Sequence, residues 1–229
     1  MTLAPGSSPA GGYLGLSLFG IGPIAGVGDD TEHTFTVPSF RFGGDIYTSL
    51  TMSSNGYLTV GGNPATSPVN QLLPQLGSPD GIIAPFWTNL DPTLGGSLRI
   101  GTLTDGSNTW IVLDWDHVRN ASDTATNTFE VWLGIVADAD PSEDITFVYD
   151  TVSGGDGGLL TVGAENTNGA FGDTRYFNGS GIAPTKGTQL RLSTSGEPNL
   201  APEPGTWFSL VGGLSLAGLM KFRAKRTGC

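Results

Sequence analysis

In Phe129-Glu130-Val131-Trp132-Leu133-Gly134-Ile135 every odd position is apolar, the period-two alternation of a strand with one face against a core. Short β-like runs with the same character lie on both sides: His33–Val37, Tyr47–Met52, Tyr57–Val60, Ile82–Phe86, Leu98–Leu103, Trp110–Val118, Ile145–Tyr149, Leu159–Glu165 and Gln189–Leu192. Asn55-Gly56, Asp105-Gly106, Gly154 to Gly158 and Asn178-Gly179 separate several of them and supply the positive φ that hairpin turns and tight loops need. No convincing amphipathic helix precedes Ser195. The pattern predicts a mostly β chain, an antiparallel β-sandwich or related two-sheet fold.

Composition agrees. The 36 glycines and 15 prolines among 229 residues suit turns and disfavour a helical bundle. Before Ala201 six Lys or Arg stand against twenty Asp or Glu, a balance of −14, whereas the remainder carries +3. So acidic a body repels phosphate backbones and anionic surfaces, which argues against nucleic acid as a partner. The only cysteine is Cys229, so no intrachain disulfide forms and the domain must rely on its core.

The two ends have their own character. In Met1 to Val27 apolar residues are interleaved with glycine, and no Lys or Arg precedes Arg41, so the segment lacks the basic start and helical apolar run of a secretory signal. Export then requires that Met1 be a mis-assigned start or the chain a detached module. At the other end Ala201-Pro202-Glu203-Pro204-Gly205 is followed by an uncharged run from Thr206 to Met220 and by Lys221-Phe222-Arg223-Ala224-Lys225-Arg226. Fifteen helical residues rise ~22 Å against a hydrocarbon core of ~30 Å, and snorkelling Lys221 helps to close the gap. The positive-inside rule keeps the four cations cytoplasmic and places the preceding residues outside. The expected organisation is a Gly-rich apolar segment or entry strand (1–26), a β domain (27–195), a linker with the Pro-Glu-Pro box (196–204), a short apolar transmembrane helix (205–220) and a basic cytoplasmic tail (221–229).

This ending resembles the PEP-CTERM sorting region of exopolysaccharide-producing Gram-negative bacteria. The resemblance implies that Pro202, Glu203 and Pro204 form the processing motif, that Lys221, Arg223, Lys225 and Arg226 stop transfer, and that an exosortase-type membrane protease is a partner. The chain would sit in the inner membrane before processing, then reach the cell surface or the extracellular space. The body has a resemblance of its own. Ser53-Ser54-Asn55-Gly56-Tyr57-Leu58-Thr59-Val60, followed by Ile82-Ile83-Ala84-Pro85-Phe86-Trp87-Thr88-Asn89-Leu90-Asp91, is similar to the nidogen-like β domain of matrix and adhesion proteins and to modules appended to secreted bacterial subtilisin-like peptidases. The similarity runs from about Gly12 to Leu192 and makes Gly12 to Gly28 the entry strand of such a module. It implies adhesion or an accessory role, not catalysis.

Three constellations carry possible chemistry. Asp114 and Asp116 share a strand face with Trp110 and Val112, and Glu130 lies on another strand; carboxylates beside tryptophan suit sugar hydrolysis, and solvated acids at a strand edge give the same pattern. Trp110 and Trp132 sit opposite the most apolar register of their strands, as a stacking platform for a sugar or as core. Asp138, Asp140, Glu143 and Asp144 gather four carboxylates in seven residues, a hard-oxygen set suited to calcium but without EF-hand spacing; Asp29, Asp30 and Glu32 form a weaker set. Neither His33 nor His117 belongs to a recognisable nucleophile motif. The function expected is a non-enzymatic surface or matrix protein that binds exopolysaccharide or other surface proteins. The alternatives are an accessory glycoside hydrolase-like domain and the detached C-terminal module of a secreted peptidase.

Overall fold

Thirteen strands alternate along the residues that the computed structural model describes, which are 1–63, 67–137 and 145–193. In chain order they are β1 (Thr2–Pro5), β2 (Glu32–Phe42), β3 (Asp45–Ser53), β4 (Leu58–Val60), β5 (Ile82–Trp87), β6 (Ser97–Thr104) and β7 (Thr109–Arg119), then β8 (Thr126–Gly134), β9 (Ile145–Thr151), β10 (Thr161–Glu165), β11 (Gly172–Phe177), β12 (Ser180–Gly181) and β13 (Gln189–Ser193). Two antiparallel sheets result, one ordered β1-β13-β9-β8-β7-β6 and the other β12-β11-β10-β5-β4-β3-β2. All ten runs read from the sequence are strands; β1, β11 and β12 are additional.

The odd positions of β8 do face the core. Phe129, Val131 and Leu133 join Ile111, Leu113 and Trp115 of β7 and Phe147 and Tyr149 of β9 in one apolar layer. Leu50 and Met52 of β3, Leu58 and Val60 of β4 and Ile83 and Phe86 of β5 belong to the same cluster from the other sheet. Ile82-Ile83-Ala84-Pro85-Phe86-Trp87 is apolar without alternation because β5 is buried on both sides: Ile82, Ala84 and Trp87 form a separate cluster with Tyr57 and Leu73. Pro85 cannot donate to a ladder, and a register shift against β10 absorbs it.

The β3–β4 turn explains the paired motifs quoted above. Gly56 adopts φ +76°, and a Cβ there would lie 2.1 Å from the Phe86 carbonyl oxygen, so only glycine fits. Phe86 N–H donates to Gly56 O (3.1 Å) and Thr88 N–H to Asn55 O (3.2 Å), which joins the two motifs backbone to backbone.

Gly12 to Gly28 is not a strand: the N-terminal strand is β1, paired antiparallel with β13, and the glycine-rich stretch is irregular apart from a 3-10 turn at Leu16–Phe19. Among the described residues no helix is long and apolar enough to cross a membrane. The expected helix 205–220 lies outside those residues, as do Pro202, Glu203 and Pro204, the cations Lys221, Arg223, Lys225 and Arg226, and the acidic set Asp138, Asp140, Glu143 and Asp144.

Candidate functional site

The even positions of β8 build the site. Glu130 and Trp132 point away from the core, beside Trp110, Val112 and Asp114 of β7 and Val148 of β9. This outer face is covered by the N-terminal stretch, which packs Tyr13, Leu14, Leu16 and Ile21 against the two indoles and Val148. Near its start Ser8 N–H donates to Gln189 Oε1 (2.7 Å), and beyond the 3-10 turn Ile24 N–H donates to Leu98 O (2.9 Å).

Two carboxylates hold this strap. Asp114 and Glu130 are direct cross-strand partners, which sets their Cβ atoms about 4.5–5.5 Å apart, and both residues are fully buried. Tyr13 Oη donates to Asp114 Oδ1 (3.0 Å) and Leu16 N–H to Asp114 Oδ2 (3.1 Å). Leu14 N–H donates to Glu130 Oε2 (3.2 Å), which also accepts from Trp132 Nε1 (3.0 Å), whereas Glu130 Oε1 is buried with no hydrogen-bond partner. A glycine-rich stretch without a neighbouring strand thus satisfies its amides on side-chain oxygens.

The electrostatics follow from this burial. Loss of water pushes Asp114 up to about 6 against the donors Leu16 N–H and Tyr13 Oη, and pushes Glu130 up to about 8 against Trp132 Nε1–H, with the charge of Asp114 adding to the rise. Two adjacent buried carboxylates do not both ionise readily, so near neutral pH the pair retains a proton on Glu130. The Tyr13 hydroxyl is raised by its own burial and by Asp114, and remains a donor.

Asp116 does not join the pair. It follows Asp114 on β7 but lies at a bulge between Trp115 and Val118, where His117 has φ +56°. Its carboxylate binds Arg99 Nη1 (2.8 Å) on β6 and touches His117 Nδ1. Trp110 and Trp132 pack edge to face with centroids 6.0 Å apart and are 8% and 3% exposed; with the strap they form a cluster of their own outside the main core, and both line a cleft. That cleft, of about 160 Å³, runs between the strap and the β6–β7 hairpin, lined by Pro9, Ala10, Leu14 and Phe19 on one side and Leu103, Thr104 and Asp105 on the other.

Of the residues singled out from sequence, the fold assembles Trp110, Trp132, Asp114 and Glu130 and leaves Asp116 beside them. Tyr13, Leu14, Leu16 and Phe19 were missed, because their role depends on contacts a hundred residues away. Elsewhere Asp30 Oδ1 accepts from Asn55 Nδ2 (2.8 Å), while burial and the neighbouring Asp30 and Asp91 raise Asp29. Among the described residues no three His, Cys, Asp or Glu side chains converge as a metal site.

A family model described as NIDO related matches residues 21–206. No curated protein and no solved structure matches the chain.

Proposed function

The chain belongs to the NIDO-related, nidogen-like family, and from that premise we propose that it is an exported surface or matrix protein whose two-sheet body binds polysaccharide or another surface protein. Delivery follows the Pro202-Glu203-Pro204 box and the apolar and basic segments behind it, which an exosortase-type protease would process. The observation that carries the binding role is the cleft between strap and sheet. Trp110, Trp132 and the half-exposed Phe19 supply apolar contact and the polar residues Thr104 and Asp105 line its side, the combination that suits a sugar ring. A non-catalytic reading is favoured because three of the four oxygens of Asp114 and Glu130 already accept from the strap or from Trp132.

Affinity electrophoresis of the full chain through gels containing the producing bacterium's exopolysaccharide tests this. Retention is expected, and it should weaken in Phe19→Ala, which alters the cleft at an exposed position. Unretarded migration of a chain with an intact far-UV spectrum removes the polysaccharide half of the proposal.

A further inference from the structure

Leu14 and Trp132 line the cleft and both donate to Glu130 Oε2, so the buried carboxylate pair lies behind the cleft wall, one residue from it and outside its lining. The strap presents three donors to that pair: Tyr13 Oη–H, Leu14 N–H and Leu16 N–H. Glu130 Oε1 is fully buried and has no partner.

We propose that Asp114 and Glu130, with Trp110 and Trp132, form a latent site for a protonated primary amine carried on a ring, such as a deacetylated amino-sugar unit, and that the strap is a stand-in ligand occupying it. An ammonium brings three N–H donors, the number the strap supplies, and adds a positive charge that the strap lacks. The ring would rest against the two indoles where the displaced strap uncovers them. The site rests on the polysaccharide-binding reading of the cleft and narrows it to cationic sugars.

Proton balance follows. With the strap in place the pair retains one proton on Glu130, because burial disfavours a second negative charge there. An ammonium neutralises that second charge, so Glu130 releases its proton to solvent as the amine binds. The other titratable groups facing the pair are Tyr13 on the strap, Arg99 on β6 and Asp116 on β7, whose charges offset each other in an ion pair; across β9 the partner of Glu130 is the uncharged Val148.

The test is calorimetry of the full chain with glucosamine oligomers and with N-acetylglucosamine oligomers at pH 6, in two buffers of different ionisation enthalpy. Amide exchange of Leu14 and Leu16 is followed in parallel. The expected result is binding of the cationic oligomer at least about tenfold tighter than the neutral one, with proton release and loss of protection at both amides. Tyr13→Phe, which removes one strap donor, should tighten binding, and Glu130→Gln should remove the part of the proton release that Glu130 supplies, leaving only what Asp114, raised to about 6, gives up at this pH. Should Glu130→Gln not fold, the buffer dependence of the unaltered chain still decides. Equal binding of neutral oligomers with the strap amides undisturbed keeps the cleft and overturns the latent site; binding of neither oligomer by a folded Tyr13→Phe variant overturns the latent site, and the cleft reading then fails only if the producing bacterium's exopolysaccharide is not retained either.

Discussion

Tyr149 Oη on β9 donates to the carbonyl oxygen of Pro85 on β5 at 2.7 Å, a buried hydrogen bond that joins the two sheets through the core. Pro85 lies where β5 shifts register against β10. Tyr149→Phe keeps the ring and removes the donor, leaving a buried carbonyl without it. The expected cost is about 1–3 kcal/mol, read as a lower urea midpoint with an unchanged slope.

Gly56 is under a stricter constraint. Its φ of +76° is unfavourable for any side chain, and a Cβ there meets the Phe86 carbonyl oxygen at 2.1 Å. Gly56→Ala must displace β5 or the turn, and the expected loss is upwards of about 3 kcal/mol. By contrast Gly106→Ala, at φ +97° but with open space around it, should cost about 1–2 kcal/mol. Thermal unfolding of the two variants side by side measures the difference.

The buried pair gives stability an unusual pH dependence. Asp114 and Glu130 are both raised in the folded state, so the folded chain holds protons that the unfolded chain releases above about pH 4. Their contribution is fully present below that pH and is lost as pH rises through about 6 and then about 8. The urea midpoint should therefore fall from about pH 4 to about pH 8, with Glu130 carrying the decline above pH 6, by the equivalent of a few kcal/mol at most on an order-of-magnitude view. In Glu130→Gln, where no proton can be lost at that position, the decline should be much shallower.

How far the sequence announced this structure depended on whether the signal was local. The alternation in Phe129 to Ile135 was readable because one face of β8 meets a continuous core, and the Asn55-Gly56 turn because its glycine has a steric cause. β11 gave no signal: every residue from Gly172 to Phe177 is half-buried, so no face stands out. β1 ends at Pro5 and is recognisable only through β13, almost two hundred residues away. The strap, for which the sequence leaves a glycine-rich segment or an entry strand open, is undecided for the same reason. Its apolar residues answer the outer face of β7 and β8, and its amides answer Asp114 and Glu130, neither of which can be located from the strap's own composition. Glu130 and Asp114 could be placed on strands from their own neighbours, but their register against one another belongs to tertiary structure.

Glu165 carries the last prediction. It is fully buried at the end of β10, where one oxygen accepts from Gln75 N–H at 2.8 Å and the other has no hydrogen-bond partner. Burial pushes it up to about 7, and the charge of Asp80, which has a buried unpartnered oxygen of its own, pushes in the same direction. A raised carboxylate stabilises the fold at acid pH and loses that contribution as pH rises through 7. Glu165→Gln keeps an acceptor for the Gln75 amide and removes the charge, so its urea midpoint should exceed that of the unaltered chain at pH 8 and match or fall below it at pH 5. A midpoint lowered at pH 8 by as much as at pH 5 would overturn the reading that ionisation of Glu165 costs the fold stability.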